Sequence, residues 1–458
     1  MKLGIDKPTS FLWKFSDIMP ASRLLQWHLG LAAAFCLVGA MLQAQEAWER
    51  DHEAGAKAGE AAHFVEAQGL LLRSADEARK TATAAPLLAR SLLDLGEVYR
   101  SEGKYAPAQS CYAEALQIYT RQYGADSPQA AEVLNGQAEL YKTLNDYVQA
   151  EPLLLKALEI RQKKLSQPDL ATAQTQNDLG ELYTATGAYD KAARLLQTAL
   201  ETRKRLLAAD HEKVAQTLQA LANLNKQTGK AAEAENLFRQ AVSIYGKTVG
   251  GEHPDYANAL EGLALFYSAR HQYDLAEPLL ARILEIREKV FGPDHHDVGV
   301  SLDALGLIKS YQHHCAEAVP LYLRALIIWG KIYGEENPWL SADLSNLAIC
   351  YEYMEDFAAA EFTLRRAIRN DEKGLPPDSS DLGSDLHNLG SLYFTMRHYQ
   401  EAAPLLRRAL DIRTKALGLN DRDTIQTLET YANLLHFLHR DAEAKELESK
   451  VKFGQKSQ

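Results

Sequence analysis

The chain has 458 residues, 61 of them acidic and 50 basic, for a net charge of −11. That balance argues against a general nucleic-acid binder, which presents a basic face, and an apolar content of 46% excludes a disordered composition. The four cysteines, Cys36, Cys111, Cys315 and Cys350, are scattered without a CxxC pair, so neither a disulfide framework nor a zinc site is written here.

In chain order, the first feature is the apolar run Leu24–Leu42, LLQWHLGLAAAFCLVGAML. Arg23 precedes it and the polar QAQEAWERDHE follows. Basic residues before and acidic residues after predict that the amino end stays in the cytoplasm and the rest is exported. Residues 1–45 are therefore expected to be a signal peptide cut after Ala44 or Ala40, or a retained membrane anchor, with a buried helix as the third reading. The 19-residue run can just span a bilayer. Met19 offers a second start.

Beyond it the chain repeats itself. AEPLLLKALEIR at Ala150–Arg161 returns as AEPLLARILEIR at Ala276–Arg287 and as AAPLLRRALDIR at Ala402–Arg413, with starts 126 residues apart both times. The interval divides into three steps of 42, with origins at Pro86, Pro128, Leu170, Glu212, Pro254, His296, Pro338, Ser380 and Arg422. Ten positions past every origin stands glycine or alanine; twenty-two past, always alanine. Such a register over nine units is a tandem array.

Each unit is predicted to be two helices. Leu260, Leu263 and Tyr267 form one helical face around small Ala264, and Tyr273, Ala276, Leu280, Ile283 and Leu284 form a second. Turns such as SEGKY (Ser101–Tyr105) and ATGAY (Ala185–Tyr189) separate them. Pro128, Pro254 and Pro338 sit where a helix begins. Residues 46–85 are expected to be a degenerate capping repeat, 86–421 eight full repeats, and 422–458 a capping repeat with a polar tail.

This grammar of Gly or Ala, then Tyr, then G-x-Y, then Ala, resembles the tetratricopeptide repeat. The period of 42, with AEPLLLKALEIR and HPDYANALEGLALFY (His253–Tyr267), is similar to the kinesin light chain variety. The resemblance implies an all-α helix-turn-helix solenoid, a right-handed superhelix of nine to ten helix pairs, and a protein or peptide partner. In kinesin light chains, asparagines of the first helices clamp a peptide backbone. The matching slot, eight past each origin, holds Asn346 and Asn388, but also Asp94, Gly136, Asp178, Ala220, Gly262, Ala304 and Thr430, so that ladder is mostly missing. Seven past the origin stand Asn135, Asn177, Gln219, Glu261 and Asp303, without the lysine of a carboxylate clamp.

Chemistry is sparse. His295 and His296, and His313, His314 and Cys315, fall in inter-helix turns, where adjacent side chains rarely converge on one metal. Cys315 and Cys350, in successive units, are the one pair that could meet as a disulfide. No catalytic or phosphate-binding motif stands out, so no enzyme, metal or cofactor is expected. Glu97, Glu139 and Glu181 all lie eleven past their origins, a slot that faces the concave surface in arrays of this kind. Asp94, Glu132 and Asp178 lie close in register. Later the slot turns neutral or apolar, with Asn223, Leu265, Leu307, Ile349 and Ser391. The stripe is expected to take a protein or peptide with a basic segment, its neutralisation to glutamine leaving the fold intact. Arg100 and Lys142, three residues after Glu97 and Glu139, open the other reading, a solvated face with local pairs. The candidate partner-binding set is Asp94, Glu97, Glu132, Glu139, Asp178, Glu181, Asn223, Leu265, Leu307, Asn346 and Asn388. Two further readings stand beside the exported scaffold. One is a structural spacer without a groove ligand; the other is a cytoplasmic adaptor, should residues 1–45 carry no export signal.

Overall fold

A computed structural model describes residue 39 and residues 43–61, 63–80, 84–164 and 169–455. The run Leu24–Leu42 (Gly39 apart), Met19, Cys36 and the Ala40 cleavage position lie outside the described residues. Among the described residues there is no strand, and no helix is long and apolar enough to cross a membrane.

Contacts divide the chain after Leu206. The first unit holds α1 (43–60), α2 (Phe64–Arg79), α3 (Ala85–Ser101), α4 (Tyr105–Tyr123), α5 (Pro128–Thr143), α6 (Tyr147–Lys164), α7 (Leu170–Ala185) and α8 (Tyr189–Leu206). The second holds α9 (Glu212–Gln227), α10 (Ala231–Thr248), α11 (Pro254–Ser268), α12 (Tyr273–Phe291), α13 (His296–Tyr311) and α14 (Cys315–Tyr333). It continues through a 3-10 turn (Pro338–Leu340) into α15 (Ser341–Tyr353), α16 (Phe357–Gly374), α17 (Ser380–Thr395), α18 (Tyr399–Leu417), α19 (Arg422–Phe437) and α20 (Asp441–Gln455). Odd-numbered helices open the repeats and even-numbered helices close them. At the amino end, α1 is tied in by Trp48, whose indole N–H donates to Ser91 Oγ of α3 at 2.8 Å.

The small slots explain the close helix packing. The nine alanines twenty-two past the origins, Ala108 to Ala444, are all fully buried on the second helices. Four residues on, at Tyr112, Leu154, Leu196, Phe238, Leu280, Tyr322, Leu364 and Leu406, a large side chain crosses to the first helix. A Cβ on Gly96 would stand 2.6 Å from Tyr112, and one on Gly180 2.5 Å from Leu196. Tyr112 and Phe238 also demand room from the following repeat, where Gly136 and Gly262 provide it. The slot eight past the origin is thus a steric position in those two repeats, where an asparagine would not fit.

Turns are equally periodic. The residue seventeen past each origin has positive φ in all nine repeats: Gly103, Asn145, Gly187, Gly229, His271, His313, Glu355, Arg397 and His439. Six of these are not glycine, with φ between 56° and 62°, and each bears a cost of about 1 kcal/mol that packing must offset. His295 caps α13, its Nδ1 accepting the N–H of Asp297 at 3.1 Å, and His211 and His253 cap α9 and α11 the same way. Among the described residues no group of three His, Cys, Asp or Glu could hold a metal. His313 stacks on Tyr353 instead, with ring centroids 5.1 Å apart. Cys315 and Cys350 are buried free thiols.

Successive first helices touch each other, α3 with α5, α5 with α7, α13 with α15, α15 with α17; second helices have no comparable contact. Within each unit the first helices therefore lie on the inner, closer-packed side.

A polar bridge joins repeat to repeat. The arginines ending the phrases quoted above, Arg161, Arg287 and Arg413, are buried. Arg161 donates to Asn135 Oδ1 of its own repeat (3.1 Å), to the Ala171 carbonyl of the next (2.6 Å) and to Thr175 Oγ1. Arg287 binds Glu261 with both ends of its fork (3.0 and 2.9 Å), Asn258 (3.2 Å), and Ser301 of the next repeat (2.9 Å). Arg413 binds Ser384 (2.9 Å), then Thr427 (2.6 Å) and the Asp423 carbonyl (2.8 Å) of the next. A planar fork with five donors suits several acceptors on two helices at once.

Leu154→Ala, removing a side chain with no exposed surface, should cost about 2–4 kcal/mol in denaturant unfolding. Arg287→Met should cost about 3 kcal/mol, as breaking a buried ion pair does, and Arg287→Lys should recover only part of it. A lysine variant as stable as the wild type would show that the forked geometry is dispensable.

Candidate functional site

On the inner side of the first unit, the six carboxylates singled out in sequence fall into local groups, each with its own partners. Asp94 and Glu132 meet through Arg90, which reaches them at 3.4 and 3.1 Å, and His52 lies 2.8 Å from Asp94. Glu97 accepts from Arg100 at 2.8 Å and from the Tyr112 hydroxyl at 2.9 Å. Lys142 sits between Glu139 (2.8 Å) and Glu181 (2.7 Å). Asp178 is buried and accepts from Asn135 (2.6 Å) and Gln174 (2.7 Å).

Each shift in proton affinity has a physical cause. Glu97 beside Arg100 raises the guanidinium's already high proton affinity. Burial pulls Lys142 down, but Glu139 and Glu181 outweigh it and hold the ammonium charged. Burial pushes Glu139 up, yet Lys142 and Arg100 bring it below the ordinary range. Asp178, by contrast, is pushed well above that range by burial first and the Glu139 charge second. The six acids thus face the three cations Arg90, Arg100 and Lys142. Six carboxyl groups against three cations leave an acidic excess with or without a proton on Asp178.

In the second unit the same slot presents grease. Leu265 and Ile349 are each 48% exposed, Leu307 is half-buried, and so are Asn223 in the same slot and Asn346 and Asn388 three residues before it. Tyr311 and Tyr353, one turn after Leu307 and Ile349, are exposed on the same helix face. Sequence reasoning passed over these two tyrosines, although the i,i+4 spacing was the available signal. Tyr311 stacks on Tyr273 at 5.3 Å, so the apolar strip runs to the turn edge.

The shared lysine reverses one expectation. Turning Glu97, Glu139 and Glu181 to glutamine would strip Lys142, only 12% exposed, of both anions. The triple variant should be less stable than the wild type at neutral pH. Lys142→Met should cost about 2 kcal/mol at pH 7, the range for hydrogen bonds to charged groups. Glu139 has a lowered folded value, so its contribution is complete above the ordinary 4.5 and is lost as pH falls from there through the lower folded value. Urea unfolding of both proteins at pH 7 and pH 4 checks this; the gap between them should shrink in acid.

Comparison with known proteins meets the same architecture. The model of the tetratricopeptide repeat matches residues 87–163, 171–247, 255–326, 315–373 and 384–451. No curated protein matches the sequence. Among solved structures, the apo form of RapI is similar over 70% of this chain and 86% of its own, at 15% identity and a TM-score of 0.58. The STAND protein PH0952 of Pyrococcus horikoshii, which has a tetratricopeptide repeat sensor, is similar over 75% of this chain and 52% of its own, at 13% identity and a TM-score of 0.55. Kinesin light chain TPR-like repeats of Podosopora anserina align with 45% of this chain and 98% of their own, at 26% identity and a TM-score of 0.41. The repeat model covers most of the chain and the solved folds agree with it: this protein belongs to the tetratricopeptide repeat family, whose members serve as protein–protein interaction scaffolds.

Proposed function

We propose that this scaffold takes its partner on the inner, first-helix faces, outside the cytoplasm. The observation that carries the binding reading is the exposure of Leu265 and Ile349 at one repeated slot of the second unit, continued by Tyr311 and Tyr353. Apolar side chains recurring at a fixed step on a solvent face cost solubility without helping the fold, whereas a partner's apolar side chains would cover them. The first unit's face offers a different chemistry. Its carboxylates keep exposed edges and outnumber their cations, which suits a basic stretch and charge-assisted hydrogen bonds. Exposed pairs of that kind steer association more than they tighten it.

Export rests on the apolar run Leu24–Leu42 with its charge change from Arg23 to the acidic residues after it. Fractionation of expressing cells should find the chain outside the cytoplasm; a soluble cytoplasmic chain with that run intact would restore the cytoplasmic adaptor.

The binding reading is tested with Leu265→Glu/Ile349→Glu. Both side chains are half in solvent, so unfolding should move by less than about 1 kcal/mol. Partners cross-linked to the wild-type chain in its native cells should be lost from the double variant. Undiminished cross-linking would leave the strip without a role and favour the spacer. Raising salt from 50 to 500 mM should slow association at the first unit's face, since the screening length falls from above to below about 8 Å.

A further inference from the structure

The slot of the bridging arginine carries another residue at Tyr119, Tyr245, Trp329 and Asp371, and at the last two, consecutive steps of the second unit, an acid stands opposite it. Where Arg287 and Arg413 sit, the intervening repeats have Trp329 and Asp371; where Ser301 and Thr427 accept, they have Asp343 and Asp385. Asp343 is buried on α15 and accepts from the Trp329 indole at 2.6 Å. Its carboxyl faces that of Asp303 on α13, whose Oδ1 is buried without a hydrogen-bond partner. Asp371, on α16, has no exposed surface, and neither of its carboxyl oxygens has a partner. It faces Asp385 of α17, which accepts from Ser345 through Oδ1 and leaves Oδ2 unpartnered. The Ser341 hydroxyl, close by, donates to the Ala367 carbonyl instead, at 3.2 Å.

Among the described residues no lysine or arginine donates a hydrogen bond to either pair. Around Asp303 and Asp343 stand Tyr311 of α13, Tyr322 of α14 and Cys350 of α15, none of them a basic side chain, and His296 of α13 packs edge-on against the Trp329 ring at 5.1 Å. Around Asp371 and Asp385 they are Asp381 and His387 of α17, with Arg413 on α18. Arg413 directs its terminal N–H groups to Ser384, Thr427 and the Asp423 carbonyl. Burial and that arginine push His387 down to about 4, so it stays neutral at physiological pH. Each pair has one donor, Trp329 to Asp343 and Ser345 to Asp385, and the facing oxygens left over are satisfied only while the pair keeps a proton between them.

We propose that the α14–α15 and α16–α17 steps form a proton-operated joint, closed while each carboxyl pair holds a proton and loosened when the pairs lose it. Burial first, then the neighbouring carboxylate, pushes Asp343 and Asp385 each up to about 8, against an ordinary 3.8. A raised folded value means that the stabilisation is complete below the ordinary value and drains away as pH climbs to the folded one. Each retained proton thus weakens the closed state about tenfold per pH unit between about 4 and 8. His387 acts oppositely between 6.5 and about 4, one group against two. The joint is tightest in mild acid and loosens toward pH 8. Leu307 lies on α13 and Ile349 on α15, flanking the first pair, so on the binding reading above the apolar strip would change spacing with pH.

Hydrogen exchange on the full chain, corrected for the intrinsic pH dependence of amides, tests the joint without any partner. Between pH 5.5 and pH 8, protection in α14–α17 should fall at least about tenfold relative to α3–α8. In Asp343→Asn/Asp385→Asn, whose amides cannot ionise, that fall should vanish. Should this variant fail to fold, Asp371→Arg/Asp385→Thr copies the bridge that Arg413 makes to Thr427 and should abolish the fall in α16–α17 alone. Protection in α14–α17 that is level across this range, or a fall that persists undiminished in a folded variant, would overturn the proposal. Failure of the strip variants to alter partner capture would leave this readout untouched.

Discussion

At Gly96 and its counterparts the first helix has almost no side chain, because Tyr112, Leu196 or Leu406 from the second helix already fills the space above the backbone. That near-contact of two helices is the constraint on which the other features rest. It sets the rotation of each first helix about its own axis: with the Gly or Ala slot turned toward the second helix, the position one residue further on must turn partly away from it. Glu97, Glu139, Leu265 and Ile349 occupy that next position, so a steric requirement in the core decides what the inner face presents. A face that reaches solvent by such geometry is free to vary in chemistry. In the first unit it carries carboxylates, in the second aliphatic and aromatic side chains.

Steric slots are legible in a sequence because few residues satisfy them. Helix pairs, turns and the buried alanine could all be read from the recurrence of Gly or Ala and Ala at a step of 42, and the structure repeats them. The polar layer was less legible. Arg161, Arg287 and Arg413 end the very phrases that revealed the repeat, yet an arginine late in an amphipathic helix looks solvent-facing. Its burial depends on Thr175, Ser301 or Thr427, fourteen residues further on in the next repeat. Likewise the spacing of Glu139 and Glu181 was plain, but Lys142, reaching a carboxylate 39 residues away, turns apparent repulsion into a shared ion pair. His295, adjacent to His296, drew attention to metal chemistry; in the fold it is an N-cap, as His211 and His253 are at the same slot.

The two acid-bearing steps show how such an array tolerates local change. In a globular core, exchanging a buried arginine for a carboxyl would be ruinous. Here each step answers mainly to its nearest neighbours. Where Asp371 stands in the arginine slot, the acceptor position opposite has become Asp385, so one charge problem is exchanged for another that a single proton resolves. At the preceding step Trp329 replaces arginine and its indole N–H serves Asp343. Both solutions keep the packing of alanine against a large neighbour intact, for Ala360 and Leu364 remain buried like their counterparts. The apolar layer therefore carries the fold, and the polar layer above it sets how firmly each step closes. Because the two layers are separate, the firmness of one step can be altered by pH or by substitution while the register of the array is kept. On the proposal above, a rise in pH loosens first the steps whose carboxyl pairs lose their proton, those between α13 and α17.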